Sequence, residues 1–272
     1  MKKLIQDIKI IMSDIDGTIL NDQGFVSLRT VEAIKKARTQ GLIFGLASGR
    51  DIESSESLYK DWGIEGLVDV FVGGNGAHIK DYRLGIDEKS HNLSHELMAL
   101  IIEHFQDLPV NFIIVVKGCF CLLSADDADL FMSKVGNAPH KIISLQEMLQ
   151  ENVSKIHLFC RPHIMPLVIE RSKSFNHPEV ISVQTAEMIF EYYDAQISKS
   201  NGLKKVIEMD HLTLGNLLVF GDADNDISML AESKIGVVMA NGTPLAKSVA
   251  NYVTEDNNHD GIAVFLEKYI LQ

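Results

Sequence analysis

Cysteine is scarce in this 272-residue chain, which has only Cys119, Cys121 and Cys160. So odd and sparse a set argues against a disulfide framework and fits a reducing compartment. Cys119 and Cys121 stand two apart in a strand-like run, so they share a face and read as packing residues. Long apolar runs are also absent. None approaches the ~20 residues needed to span a bilayer. The opening Met1-Lys2-Lys3-Leu4-Ile5 is interrupted by Asp7 and Lys9, with no small-residue cleavage site following, so it does not develop into a secretory signal. Positive charge is short, with 25 Lys and Arg against 37 Asp and Glu and a net charge of −12. Such a surface repels nucleic acid and anionic membranes, which argues against both as partners. An anionic ligand would have to be drawn in locally, by a metal ion or a few placed cations. Repeats, low-complexity tracts and charge blocks are missing too. What remains is a cytoplasmic globular protein.

Short apolar runs rich in Ile, Val and Leu alternate with helix-like segments, the pattern of an α/β parallel sheet whose strands are buried on both faces. The strand candidates are Ile8–Met12, Leu42–Leu46, Leu67–Val72, Leu217–Phe220 and Ile235–Met239. Between the first two, Ser27 is a helix cap, Val31, Ile34 and Ala37 form an apolar stripe, and Gly41 stops the helix. The middle of the chain reads differently. Helical stretches (Glu96–Phe105, Ile164–Phe175) mix with hairpin-like strands, including Phe112–Val116 and Phe120–Leu123 around Lys117-Gly118-Cys119. The spacing predicts a catalytic core over 1–82 and 189–272, interrupted by an α+β insertion over 83–188.

Each core strand runs into a polar or glycine-rich cluster. The first leads to Ser13-Asp14-Ile15-Asp16-Gly17-Thr18 and the second to Ser48-Gly49-Arg50. The third leads to Gly73-Gly74-Asn75-Gly76 and the fourth to Gly221-Asp222-Ala223-Asp224-Asn225-Asp226. Open parallel sheets bind ligands outside the carboxyl ends of their strands, so one rim gathers carboxylates, hydroxyls and exposed backbone. Asp14 and Asp16 would face the same way if the strand continued. Two adjacent carboxylates are sensible when a cation neutralises them, and Mg²⁺ prefers one or two carboxylates plus water and phosphate oxygens. Taken alone, the motif also fits an Asx-rich turn or helix cap. A second acidic cluster on another strand of the same sheet is harder to assign to capping, although Asp224 fits an ordinary helix-dipole partner. Lys199, ahead of the helix Gly202–Glu208, is the local cation an anionic substrate would need. The histidines show no zinc spacing; His91 and His95 are four apart, as surface helix residues often are.

In the order DxDGT, Ser-Gly-Arg, Lys, GDxxND, the chain resembles the haloacid dehalogenase-like superfamily. The large insertion between the second and third motifs resembles its Cof-like, class IIB phosphatases. The likeness takes in Asp14–Leu20, Ser48–Arg50, Gly74–Ala77, Lys199, Gly221–Leu230 and Asn241-Gly242-Thr243-Pro244. It implies a Rossmann-like, doubly wound core with an inserted cap that selects substrate. It also implies a Mg²⁺-dependent phosphatase acting on a small phosphorylated metabolite, with sugar phosphates first and phosphorylated cofactors behind them. Asp14 would be the nucleophile and Asp16 the general acid and base. Mg²⁺ would rest on Asp14, the Asp16 carbonyl and Asp222, with Asp226 in the outer shell. Ser48, Gly49, Lys199 and Asn225 would serve the phosphoryl group, and Arg50 and Asn75 are candidate substrate contacts. Two features depart from the family pattern. Lys199 is followed by Ser200 and Asn201 before Gly202, and Asp194-Ala195-Gln196 lacks the usual Pro and Gly. The competing readings are a phosphotransferase or phosphomutase with the same intermediate, and a binding regulator without turnover. The complete set of catalytic groups speaks against the latter.

Overall fold

The computed structural model describes residues 7–90, 93–135 and 139–271. The Met1–Ile5 segment and His91 lie outside the described residues. The chain divides into two compact units, Met1–Lys89 with Ile197–Gln272, and Ser90–Gln196.

The first unit opens with β1 (Ile10–Ser13), β2 (Ile43–Ala47), β3 (Val70–Gly73), β4 (His78–Asp81) and β5 (Ile86–Lys89). The second unit contributes β6 (Asn111–Val116), β7 (Cys119–Leu122), β8 (His140–Ile142), β9 (Lys155–Phe159), β10 (Val180–Ala186) and β11 (Ile189–Asp194). The chain then returns to the first with β12 (Leu217–Gly221), β13 (Ile235–Val238) and β14 (Tyr252–Val253).

The core sheet has eight strands in the order β14-β13-β12-β1-β2-β3-β4-β5. It is parallel from β14 to β3, and β4 and β5 add an antiparallel hairpin at one edge. Alternate residues of the buried strands enter different hydrophobic clusters. Ile11, Phe44, Phe71 and Phe220 pack with Val31, Ile34 and Phe265 in one. Ile10, Met12, Val72 and Val219 pack with Leu203, Val206 and Met229 in the other. Period-two side chains sorted to two helical layers make the sheet doubly wound, as the unbroken apolar runs foretell. The predicted cap at Ser27 is present, its side chain accepting from the Thr30 amide, and Gly41 closes the helix at φ +84°.

The inserted unit is a six-stranded sheet in the order β10-β11-β9-β6-β7-β8, antiparallel except for β7 with β8. One face packs on the helices His95–Phe105 and Met165–Ser172. The other receives Phe131 from the helix Ala128–Val135. Lys117 and Gly118 both have positive φ, which makes the two-residue turn that joins β6 to β7. Cys121 is buried and Cys119 packs against the same cluster, as their spacing predicts.

The change-over between units falls one short strand later at both ends than the sequence suggests. Residues 83–89 stay with the core because β5 pairs with β4. Residues 189–196 stay with the insertion because β11 lies between β9 and β10. No helix among the described residues is long and apolar enough to cross a membrane.

Candidate active site

β1 lies between β12 and β2, so the residue that leaves it is flanked by two other strand ends. The Asp14 amide still donates to the Phe220 carbonyl at 3.0 Å, which continues the β1–β12 ladder by one residue. Gly17 then turns the chain at φ +73°. A Cβ at that position would lie 2.5 Å from Asp222 Oδ2, so a glycine is required both for the turn and for the approach of the second acidic strand end. Thr18 Oγ1 donates to Asp222 Oδ1 at 2.6 Å, a second tie between the two loops.

Asp14, Asp222 and Asp226 converge, with one carboxylate oxygen from each lying within 4.8 Å of the others. Lys199 reaches into the cluster. Its ammonium donates to Asp14 Oδ1 and to Asp226 Oδ1, both at 2.6 Å, and the residue is only 1% exposed. The helix expected over Gly202–Glu208 begins earlier, at Lys199 (Lys199–Met209), capped by Ser198, whose side chain accepts from the Asn201 amide. Asp226 has both oxygens engaged, since Oδ2 accepts from the amides of Asp222 and Ala223 at 2.9 and 3.0 Å. That places it behind Asp14 and Asp222 as a fixed support.

Three carboxylates face a single ammonium in a buried setting, and their ionisation reflects it. Burial pushes the Asp14 carboxyl up to about 7 against the pull of Lys199, and Asp226 adds to the push. Burial likewise raises Asp222. Burial opposes the charge of Lys199, but Asp14 and Asp226 outweigh it and raise its pKa. Excess negative charge in an all-oxygen cluster fits a hard divalent cation, which would relieve the repulsion.

The remaining predicted residues surround this centre. The Asp16 carboxylate does not join Asp14: the strand ends at Ser13, and the turn sends Asp16 to Arg50, which grips it with two bonds of 2.7 Å. Only the backbone of Asp16 is left to serve a metal beside Asp14. The Arg50 guanidinium also lies over the Trp62 ring at 5.5 Å, so it is occupied on its edge and its face. Ser48 is buried, and its Oγ accepts from the Arg50 amide at 3.2 Å. Asn75, in the left-handed region at φ 55°, donates its amide to the Ser48 carbonyl and accepts from Asn225 Nδ2 at 3.1 Å. Gly49 sits beside the Asn75 side chain. Asp224 accepts from Thr243 Oγ1 at 2.7 Å, a link between loops that capping alone does not describe.

One contributor escaped the sequence reading in this role. Asn241 Nδ2 donates to the Gly17 carbonyl at 2.7 Å. Its signal was position, just past the β13 strand candidate, on the rim the other motifs mark.

A family model described as haloacid dehalogenase-like hydrolase matches residues 11–266. A 5-amino-6-(5-phospho-D-ribitylamino)uracil phosphatase of Bacillus subtilis is 26% identical, across 96% of this chain and 97% of that protein. An Escherichia coli phosphatase of the same name is 25% identical, across 97% of this chain and 96% of the relative. Among solved structures, a sugar phosphatase of haloacid dehalogenase subclass IIB superposes with a TM-score of 0.77 at 21% identity, covering 97% of this chain and 100% of that one.

Proposed function

The chain belongs to the haloacid dehalogenase-like hydrolase family, and on that premise we propose that it is a Mg²⁺-dependent phosphatase working through a phosphorylated Asp14. The observation that carries the proposal is the buried Lys199 ammonium, 2.6 Å from both Asp14 and Asp226, with Asp222 converging on the same point. Phosphoryl transfer needs an in-line nucleophile and neutralisation of the phosphoryl oxygens, and little else.

Mg²⁺ would be held by the Asp14 and Asp222 carboxylates and the Asp16 carbonyl, with Asp226 behind them. When bound it supplies the positive charge that the carboxylates and the phosphoryl oxygens lack. An Asp14 carboxylate oxygen bonds to phosphorus as the ester P–O bond breaks, and Asp16 gives its proton to the departing oxygen. In the second half a water oxygen bonds to phosphorus, Asp16 takes its proton, and the bond from Asp14 to phosphorus breaks. Inorganic phosphate leaves, with Asp14 ionised and Asp16 protonated for the next cycle. Ser48, Gly49, Lys199 and Asn225 bind the phosphoryl group. Asp16 starts as a carboxylate paired with Arg50, so it must give that pair up and take a proton from solvent before it can protonate the leaving oxygen; with 59% of its side chain exposed it has room to do so. Arg50 and Asn75 act here by holding Asp16 and Asn225.

The relatives support a reading of the substrate class. The names of the phosphoribityl phosphatases and the sugar phosphatase support a phosphorylated polyol or sugar. We assign the choice among such esters to the inserted unit.

The test is phosphate release from a panel of small esters, with Mg²⁺ or EDTA, by wild type and Asp14→Asn. Release that needs Mg²⁺ and disappears in the variant is expected. Undiminished release by Asp14→Asn would overturn the mechanism. Phosphoryl transfer to a sugar hydroxyl with no free phosphate would identify a transferase.

A further inference from the structure

The residue after Lys199 carries a feature that the phosphatase reading does not use. Ser200 is 2% exposed, and its Oγ donates to Glu232 Oε2 at 2.6 Å. Lys204, one helical turn further on, reaches the same oxygen at 2.6 Å. Glu232 is the last residue of the helix Ile227–Glu232, whose N-cap is Asp226. Three side-chain links therefore join the same pair of helices: Lys199 to Asp226 at the buried rim, and Ser200 and Lys204 to Glu232.

The first turn of the Lys199 helix is held from its other side by backbone. A Cβ on Gly202 would lie 2.8 Å from Gly76 Cα, and one on Gly76 would collide with the Ser198 carbonyl. The turn is thus gripped between the glycine loop after β3 and the helix that follows Asp226. A lysine has four rotatable side-chain bonds, so equal 2.6 Å contacts to two acceptors require its Cα to be well placed. A hydrogen bond from a buried hydroxyl to an ionised carboxylate is short and strong enough to contribute to that placement. Half-exposed Lys204 lowers the pKa of Glu232, and Ser200 adds to the effect, so the acceptor stays ionised.

We infer that Ser200 and Glu232 are positioning residues that set Lys199 between Asp14 and Asp226, with the Ser200 hydroxyl as the operative contact and Lys204 as an accessory. The inference rests on the phosphatase reading for the role of Lys199, and its test does not require turnover. Orthovanadate, a mimic of the transferring phosphoryl group, is titrated by calorimetry in the presence of Mg²⁺ alongside ester kinetics. Ser200→Ala and Glu232→Ala should each weaken orthovanadate binding and lower kcat about tenfold, with KM changed less than about twofold. Glu232→Gln, which keeps a neutral and weaker acceptor for Ser200, should lose less than Glu232→Ala, and Lys204→Ala should stay within about twofold of wild type. A structural role alone would lower the unfolding midpoint of Ser200→Ala and leave the folded enzyme fully active at low temperature.

Wild-type orthovanadate binding and kcat in both alanine variants would overturn the inference. So would a Glu232→Gln loss as large as that of Glu232→Ala. If Ser200→Ala does not fold, the Glu232→Ala and Glu232→Gln pair decides alone, because that side chain is partly exposed. Orthovanadate binding without phosphate release would sink the phosphatase reading and leave the ranking of variants intact. No orthovanadate binding by the wild type would overturn both.

Discussion

Each unit buries a carboxylate within reach of a lysine, and the two clusters differ in the balance of charge. In the core, Asp14, Asp222 and Asp226 share the single ammonium of Lys199. In the insertion, Glu191 alone accepts from Lys155 at 3.2 Å and lies 3.0 Å from His157 Nδ1. Burial works against the charge of Glu191, but the hydrogen bond from His157 and the nearby Lys155 outweigh it and bring the pKa down to about 2. Burial lowers the pKa of His157, so the pair is best described as a carboxylate accepting from a neutral imidazole. The first cluster is unbalanced and benefits from a cation; the second is already satisfied by its neighbours. Burial alone therefore does not mark a functional carboxylate, whereas burial with a shortage of positive partners does.

Removing charges of opposite sign from the core cluster should give opposite results. Asp14→Asn is expected to abolish phosphate release, by ~10⁴-fold or more, and to raise the unfolding midpoint of the metal-free protein by relieving repulsion. Lys199→Ala should cost more than about a thousandfold in kcat and lower the metal-free midpoint. A metal-free Asp14→Asn protein less stable than wild type would break the comparison. Gly17→Ala comes next. Its Cβ meets Asp222 and its φ is unfavourable, so Mg²⁺ affinity by calorimetry should fall at least about tenfold.

The insertion should respond to acid. Glu191 has a depressed pKa, so its contribution is complete above its ordinary value of 4.5 and is lost as pH falls toward about 2, on the order of 3 kcal/mol in all. His157 acts in the same direction, since an unfolded imidazole takes up protons below 6.5 more readily than the buried one. The thermal unfolding midpoint should accordingly fall from pH 6.5 downward, and Glu191→Gln should flatten the profile below pH 4.5. An unchanged acid profile in that variant would show that the pair contributes nothing. The smallest effect belongs to Asn241→Ala, which frees the Gly17 carbonyl and should lower kcat only a few-fold.

The site was legible where chemistry follows directly on a buried strand. Asp14, Ser48, Asn75 and Asp222 announce themselves because an apolar run ends and a polar cluster begins. Pairings across the sheet were not legible. Lys199 is legible as a local cation, but only the fold brings it to Asp14, 185 residues away in sequence. Asp16 looks like a partner of Asp14 until Gly17 turns it toward Arg50. The unit boundaries shifted for a related reason. β4 and β5 are short and largely polar, His-Ile-Lys-Asp and Ile-Asp-Glu-Lys, so no apolar run marks them as part of the core.

The hydrogen bond from the Asp14 amide to Phe220 sets how the site should fail. Asp14 hangs from a central strand of the sheet, where amide protons exchange only when the whole unit opens. Deuterium should reach the Asp14 amide about as slowly as it reaches Ile11 and Val219. In rising denaturant, catalysis should then vanish together with the last structure of the core, with no inactive folded species preceding it.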